Sequence, residues 1–165
     1  MPDSNASIAD SIQDRFWPQL TCFGCGPANP RGLHIKSFED ADAGVRAKFT
    51  PWPEHDNGLG YLNGGIIATL LDCHSAAAVI VESNRLGLAP DGTLQYVTAG
   101  LDVRYLRPTP RDEQLEIVAH VTEPGEGQMT VAAELVWDGK PRAAATAVWK
   151  RWRPRTSATV PPTSH

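Results

Sequence analysis

The chain has 165 residues, of which 41% are hydrophobic and 21% charged, with a formal net charge of −4 at pH 7. This length and composition predict one soluble globular domain and exclude a disordered chain. The weak acidity argues against a general nucleic-acid-binding protein. Three cysteines are an odd number, which argues against a closed disulfide framework. With no apolar leader near the N-terminus, we expect a cytoplasmic protein.

The first elements that the sequence predicts are short. Apolar residues spaced by four predict a weak helix over residues 7–16. A loop rich in glycine and proline follows at residues 22–32. Two short strands are predicted next, over residues 33–38 and 45–50, with an acidic turn between them.

The most apolar stretch of the chain, residues 66–81, predicts a helix that begins near residue 64 and ends near residue 83. Twelve of these 16 residues are Ala, Val, Ile, Leu or Cys, and Asp72 and His74 lie among them. The stretch is short for a bilayer span, which takes about 20 apolar residues. A helix with almost no polar face must be covered on most sides. We therefore interpret it as a core helix and expect no membrane partner.

Beyond this helix the apolar period becomes two, which is typical of strands with one buried face. Four strands are predicted, over residues 97–105, 115–121, 129–137 and 143–149. The order of two strands, one helix and four strands predicts an α+β fold, in which a curved antiparallel sheet wraps around one long central helix. Because one sheet covers only part of the helix, we also expect a homodimer, joined through the sheets or the helices.

We divide the chain into an N-terminal helical segment (1–20), the sheet-and-helix domain (21–152) and a flexible tail (153–165) rich in Pro, Ser and Thr. A basic run, residues 150–153, precedes the tail. We interpret this run as solvated surface. A tail that binds a macromolecule is the alternative.

Asp72 is the residue of the helix that requires an explanation. An ionised carboxylate in an apolar helix is costly unless it is paired, hydrogen-bonded or solvated. His74 points about 160° away on the helix, so the two side chains cannot form a dyad, and we interpret His74 as a core histidine. A structural carboxylate, bonded to a loop or to an arginine of a second subunit, is the alternative for Asp72. The residues around Asp72 on the helix surface are small and could line a cleft: Gly65, Ala68, Thr69, Ser75, Ala76 and Val79.

The start of the helix is a candidate anion site. Asn63, Gly64 and Gly65 begin the helix after a glycine-containing loop. Unpaired N–H groups and the positive end of the helix dipole can stabilise an oxyanion there. Asp72 lies about 12 Å further along the axis, too far for one helix to hold both ends of a reacting group. This spacing favours an active site at a dimer interface.

The pair Cys22 and Cys25 has the spacing of a zinc or redox motif. Structural zinc takes four ligands, and only Cys73 remains, within the predicted helix. A thioredoxin-like βαβ setting is also missing from the pattern. We therefore predict neither a metal centre nor a cofactor.

Residues 57–72, NGLGYLNGGIIATLLD, resemble the signature of hotdog-fold acyl-CoA thioesterases of the phenylacetate-pathway and thioesterase-superfamily type. That signature has an Asn or Gln, a short glycine loop, His-Gly-Gly and an acidic residue eight positions after the first Gly. Residues 98–108, TAGLDVRYLRP, and the loop CFGCGPANPRGL are also similar to segments of the family. The resemblance covers residues 22–149.

The resemblance implies an acyl-CoA thioesterase, a homodimer or homotetramer that hydrolyses acyl-CoA to free acid and CoA without a cofactor. Asp72 would be the general base or nucleophile. The Gly64 N–H of the opposite subunit would polarise the thioester carbonyl, and Asn57 would position the water or the carboxylate. Thr98 matches a hydroxyl that assists water in some members, provided that residues 99–100 form a bulge.

The chain departs from the family pattern at Asn63, which replaces the His of His-Gly-Gly. Asparagine caps a helix well but carries no proton. The change leaves hydrolysis by Asp72 possible, disfavours hydratase chemistry, and keeps open a non-catalytic protein that binds acyl-CoA. Arg104, Arg107 and Arg111 lie near the end of a strand and are candidates for the CoA phosphates; a solvated surface is equally compatible with them.

Overall fold

The structure is a computed structural model that describes residues 10–88 and 95–153. The start of the predicted N-terminal helix and the predicted tail from residue 154 onward lie outside the described residues. Two α-helices, six strands and one short 3-10 turn form the described part. The helices are α1 (Ile12–Phe16) and α2 (Gly64–Arg85); the strands are β1 (Ser37–Asp40), β2 (Gly44–Phe49), β3 (Gln95–Tyr105), β4 (Leu115–Glu123), β5 (Gln128–Trp137) and β6 (Lys140–Trp152).

The first strand begins later than the sequence predicts. Leu33 and Ile35 are buried, but they lie in a loop, and their N–H groups donate to the carbonyls of Phe23 and Gly24. His34, between them, has a φ of 53°, which interrupts the extended backbone. The apolar alternation of this segment therefore results from the burial of loop residues and not from a strand. Strand pairing starts at Ser37.

The six strands form one antiparallel sheet in the order β1-β2-β4-β5-β6-β3. Along β2, β4, β5 and β6 alternate residues are buried, as the period of two predicts, whereas the described residues of β3 are half-buried or exposed. Asp138 and Gly139 connect β5 to β6 with φ values of 53° and 65°, the left-handed pair that a tight hairpin requires. The sheet curves around α2, so the predicted fold, one long helix wrapped by an antiparallel sheet, is confirmed.

Helix α2 has 22 residues, two more at its end than predicted. By length and composition alone it could cross a membrane. However, 11 of its residues are buried against the sheet and the loops of the same domain, so α2 is the core helix. Gly87, with a φ of 71°, follows its last turn, the left-handed conformation that commonly ends a helix.

His74 is a core histidine, as predicted. Its Nε2 donates to the Val45 carbonyl over 3.2 Å, and its Nδ1 accepts from the Ser37 hydroxyl over 2.8 Å. The Gln13 amide donates in turn to Ser37. Burial lowers the pKa of His74 to about 4, which keeps the ring neutral. This chain of hydrogen bonds joins α1, β1, α2 and β2 on the side of the helix opposite Asp72.

Candidate active site

Asp72 is half-buried in the middle of α2, facing β3. Its Oδ1 accepts a hydrogen bond from the Thr98 hydroxyl over 2.8 Å. In the part of the chain that the structure describes, no cationic side chain pairs with this carboxylate. Burial raises the pKa of Asp72, the Thr98 hydroxyl lowers it in part, and the sulfur of Cys22 raises it further. Within the described part of one chain, Asp72 is therefore not part of a structural ion pair.

A bulge in β3 brings Thr98 to this carboxylate. The pairing of β3 with β6 shifts in register between Thr98 and Gly100, which leaves Ala99 as the extra residue. The role predicted for Thr98 depends on this bulge, because without it Thr98 would face away from Asp72. The structure thus brings Thr98 and Asp72 together, while the role of Thr98 stays a prediction.

Asp72 and Thr98 lie on the wall of a cavity of about 380 Å³, within the usual range for small-molecule sites. Apart from these two residues and three cysteines, the wall is largely apolar. The larger apolar and aromatic residues on it are Trp17, Leu20, Val79, Ile80, Tyr96, Val97 and Trp149. A carboxylate beside an apolar cavity fits a substrate whose reacting group is joined to an apolar chain or ring.

Ser75 fixes the helix backbone beneath Asp72. Its hydroxyl donates to the Asp72 carbonyl over 2.7 Å and accepts from Trp149 Nε1 over 2.9 Å. Ser75 is fully buried. With both hydrogen bonds used, it acts as a structural link between α2 and β6.

The start of α2 forms a second candidate region. Asn63 is its N-cap, and its Oδ1 accepts from the N–H groups of Gly65 and Ile66 over 2.7 and 3.3 Å. Among residues 10–88 and 95–153, the Gly64 N–H has no acceptor. The Tyr105 hydroxyl donates to the Gly64 carbonyl over 2.9 Å. The first turn therefore keeps one N–H group free for an anion or a polarised carbonyl.

Gly64 and Asn57 line a cavity of about 480 Å³ that is separate from the one at Asp72. Asn57 Oδ1 accepts from the N–H groups of Leu59 and Tyr61 over 2.8 and 3.3 Å, which shapes the glycine loop. The structure thus groups Asn57 with Gly64, and Thr98 with Asp72. The four predicted residues do not meet in one cavity of a single chain.

The three candidate arginines differ in their surroundings. Arg104 is exposed on β3. Arg107 lines the Gly64 cavity, and its guanidinium donates to the Pro141 carbonyl over 2.7 Å. Arg111 pairs with Asp56 over 2.5 Å and thereby braces the loop that carries Asn57. Arg104 and Arg107 remain more accessible to a phosphate than Arg111.

A cluster of three cysteines lies beside Asp72 and was not predicted from the sequence; we call it the thiol cluster: Cys22, Cys25 and Cys73. Their Sγ atoms all lie within 4.8 Å of one another, and all three thiols are free. Hydrogen bonds among them lower the pKa of the Cys22 thiol and raise the pKa values of the other two. The sequence did show that Cys73 directly follows Asp72. It could not show that the loop containing Cys22 and Cys25 folds back onto α2 and brings two more thiols there.

Comparison with known proteins agrees with this architecture. A family model described as "Thioesterase superfamily" matches residues 59–150, more than half of the chain. No curated protein matches the sequence significantly.

Solved structures provide the remaining comparisons. A thioesterase superfamily protein from Shewanella loihica is 28% identical, with a TM-score of 0.61 over 77% of this chain and 98% of that chain. A Bacillus halodurans protein, solved with CoA, is 27% identical, with a TM-score of 0.61 over 74% of this chain and 77% of that chain. A putative thioesterase from Ralstonia eutropha, related to phenylacetic acid degradation, shares the fold at 23% identity. Its TM-score is 0.64 over 86% of this chain and 99% of that chain. The chain belongs to the thioesterase superfamily and has its hotdog fold.

Proposed function

We propose that the protein is a cytoplasmic acyl-CoA thioesterase that hydrolyses an acyl-CoA to the free acid and CoA. The observation that carries this proposal is Asp72, a carboxylate without a cationic partner among the described residues, which the Thr98 hydroxyl holds beside an apolar cavity. Membership in the thioesterase superfamily and the CoA in the Bacillus halodurans relative support a CoA thioester as the substrate.

The proposed chemistry needs one base, one water and one oxyanion donor. Thr98 occupies Asp72 Oδ1, which leaves the second oxygen to accept a proton from water as the water attacks the thioester carbonyl. The free N–H of Gly64 would stabilise the oxyanion of the tetrahedral intermediate. The intermediate then breaks its C–S bond, and the proton held by Asp72 passes to the departing CoA sulfur.

The distance between the two groups supports a site shared by two subunits. Gly64 and Asp72 are eight residues apart on α2, which corresponds to about 12 Å along the helix axis. The two residues also line different cavities. In a homodimer with two-fold symmetry, Gly64 of one subunit would face Asp72 of the other, and two equivalent sites would result. A homotetramer would contain two such dimers.

CoA also carries phosphates, for which arginine is well suited. Arg107 lies in the wall of the Gly64 cavity, and Arg104 is exposed on the neighbouring strand β3. We propose that these two arginines contact the CoA phosphates. Arg111, already paired with Asp56, would act on binding through the loop that it braces.

The test is thiol release from a panel of short, medium and aromatic acyl-CoAs. We expect turnover of at least one of them, with kcat reduced about 10²- to 10⁴-fold in Asp72→Asn, the usual contribution of a positioned base. Asp42→Asn, at an exposed aspartate of the turn between β1 and β2 and away from both cavities, is the matched control and should retain full activity. Circular dichroism checks that both variants fold. Equal turnover by the wild type and Asp72→Asn would remove Asp72 from the mechanism.

The asparagine at position 63 favours a second candidate function, binding without catalysis. Because it replaces the histidine of the family pattern, the protein could instead bind acyl-CoA without hydrolysing it. Calorimetry on the same panel separates the two functions. Tight binding of acyl-CoA with no thiol release from any substrate would support the binding protein over the enzyme.

A further inference from the structure

The thiol cluster joins two distant parts of the sequence. Cys22 and Cys25 lie in the loop before β1, and Cys73 lies on α2. The Sγ atoms of Cys22 and Cys73 are 3.7 Å apart, and the third Sγ is within 4.8 Å of both. Cys25 and Cys73 are buried, and Cys22 is half-buried.

Two glycines allow the loop to approach the helix this closely. A Cβ atom on Gly24 would lie 2.3 Å from Cys73 Sγ, and one on Gly26 would lie 2.4 Å from the Cys22 nitrogen. The Gly26 N–H also donates to the Cys22 carbonyl over 2.9 Å, which closes the turn between the two loop cysteines. The backbone thus holds three sulfurs around one point.

We infer that Cys22, Cys25 and Cys73 form a binding site for a thiophilic divalent metal ion of the zinc class, with its fourth coordination position open to the cavity beside Asp72. Zinc binds cysteine sulfur at about 2.3 Å in tetrahedral geometry, which places two ligand sulfurs about 3.8 Å apart. The observed 3.7 Å between Cys22 and Cys73 matches this spacing. The third sulfur needs to move by about 1 Å at most.

The charge around the site is a second, independent observation. The wall of the cavity contains the three sulfurs and the carboxylate of Asp72 but, among the described residues, no Lys, Arg or His side chain. A divalent cation bound to the three sulfurs would therefore meet no cationic side chain of the described wall, and the Asp72 carboxylate would attract it. This inference does not depend on the proposed hydrolysis, because the metal would tie the loop to α2 whether or not Asp72 is catalytic.

Along the sequence, only Cys22 and Cys25 stand at a metal-motif spacing, and Cys73 is distant from them, which is why the pattern alone predicts no metal centre. The structure supplies Cys73 as a third ligand, and sites with three protein ligands and one open position are common for zinc. A disulfide is the competing use of these cysteines. It would draw two sulfurs to about 2.0 Å and leave the third cysteine unpaired.

The experiment is a titration of the metal-free, reduced full-length protein with Co²⁺, a spectroscopic substitute for Zn²⁺. We expect one equivalent to bind with thiolate-to-cobalt charge-transfer absorption in the near ultraviolet, and Zn²⁺ to displace it. Loss of a group that only holds a metal ligand in place weakens metal binding about 10- to 100-fold. Because Cys22 and Cys73 would be ligands themselves, Cys22→Ser and Cys73→Ser should each weaken Co²⁺ binding by at least this factor. His120→Asn, at an exposed potential ligand on β4, should bind like the wild type.

A second measurement covers variants that fail to fold. In the wild type, one equivalent of Zn²⁺ should protect all three thiols from alkylation, as read by mass spectrometry. Three results would overturn the inference: no charge-transfer band in the folded wild type, full alkylation in the presence of Zn²⁺, or unchanged Co²⁺ affinity in a folded Cys73→Ser. A disulfide between any two of the cysteines in protein alkylated at cell lysis would assign them to redox pairing instead.

Discussion

In the proposed mechanism, Thr98 determines which oxygen of Asp72 accepts the proton from water. Its hydroxyl donates to Oδ1 over 2.8 Å, so the second oxygen is the one that can accept a proton from water. Because Asp72 sits among apolar groups and sulfurs, this hydrogen bond is the main interaction that orients it in the described chain. Thr98 is therefore a positioning residue in the proposed mechanism, and it acts through the carboxylate.

Removal of the Thr98 hydroxyl is expected to lower activity without unfolding the protein. A hydrogen bond to a charged group contributes about 1.5–3 kcal/mol, so Thr98→Val should lower kcat/KM at least about 10-fold. Thr98→Ser keeps the hydroxyl and should restore most of the activity, which a purely structural role of the threonine methyl would not do. Steady-state thiol release from the best substrate of the panel measures kcat/KM of both variants. Equal losses in the two variants would contradict the assigned role.

At the scale of elements, the start of α2 isolates one backbone donor. Asn63 Oδ1 accepts from Gly65 and Ile66, and the Gly64 N–H is left without an acceptor among the described residues. Proline is well tolerated at the first position of a helix, and Asn63 already has the extended backbone that precedes proline, with a ψ of 135°. A single substitution can therefore remove this N–H while the helix stays intact.

We expect Gly64→Pro to lower kcat about 10²- to 10³-fold, the usual cost of a lost oxyanion donor. Gly64→Ala is the matched control, because it keeps the N–H and places its Cβ in ordinary contact with the Tyr105 ring at 3.4 Å. Thermal unfolding checks that α2 is retained. If Gly64→Ala loses as much activity as Gly64→Pro, the space beside Tyr105 matters and the N–H does not.

The sequence predicted those elements whose signals are local. The period of two in β4, β5 and β6, the apolar run of α2 and the cap at Asn63 all depend on neighbouring residues, and each is present. Features set by distant parts of the chain could not be predicted. The late start of β1 follows from the backbone at His34, and the thiol cluster exists only because the loop containing Cys22 folds onto α2. Thr98 lies between these two cases. Its contact with Asp72 requires a bulge in β3, which the residues Ala99 and Gly100 permit but do not by themselves predict.

At the scale of the whole molecule, the two halves of the proposed site imply an assembly. The edge strand β3 has β6 as its only neighbour in the described sheet, and it exposes Val97 and Tyr105, at 44% and 55%. A long edge strand with exposed apolar residues is a template for pairing with another chain. Val97 lines the Asp72 cavity and Tyr105 the Gly64 cavity. Pairing along β3 would therefore bring both cavities to the interface between two copies.

Mixing two inactive variants tests this assembly directly. In a two-fold dimer each site takes Asp72 from one subunit and Gly64 from the other. Asp72→Asn and Gly64→Pro homodimers then lack one essential group in both sites, whereas a mixed dimer has one intact site and one doubly defective site. Random mixing makes half of the dimers mixed, so refolding the two variants together should restore about one quarter of the wild-type activity. Each variant refolded alone should remain inactive. If native mass spectrometry shows mixed dimers and activity does not return, Gly64 and Asp72 do not act across subunits, and each chain must then bring its own donor to its own carboxylate.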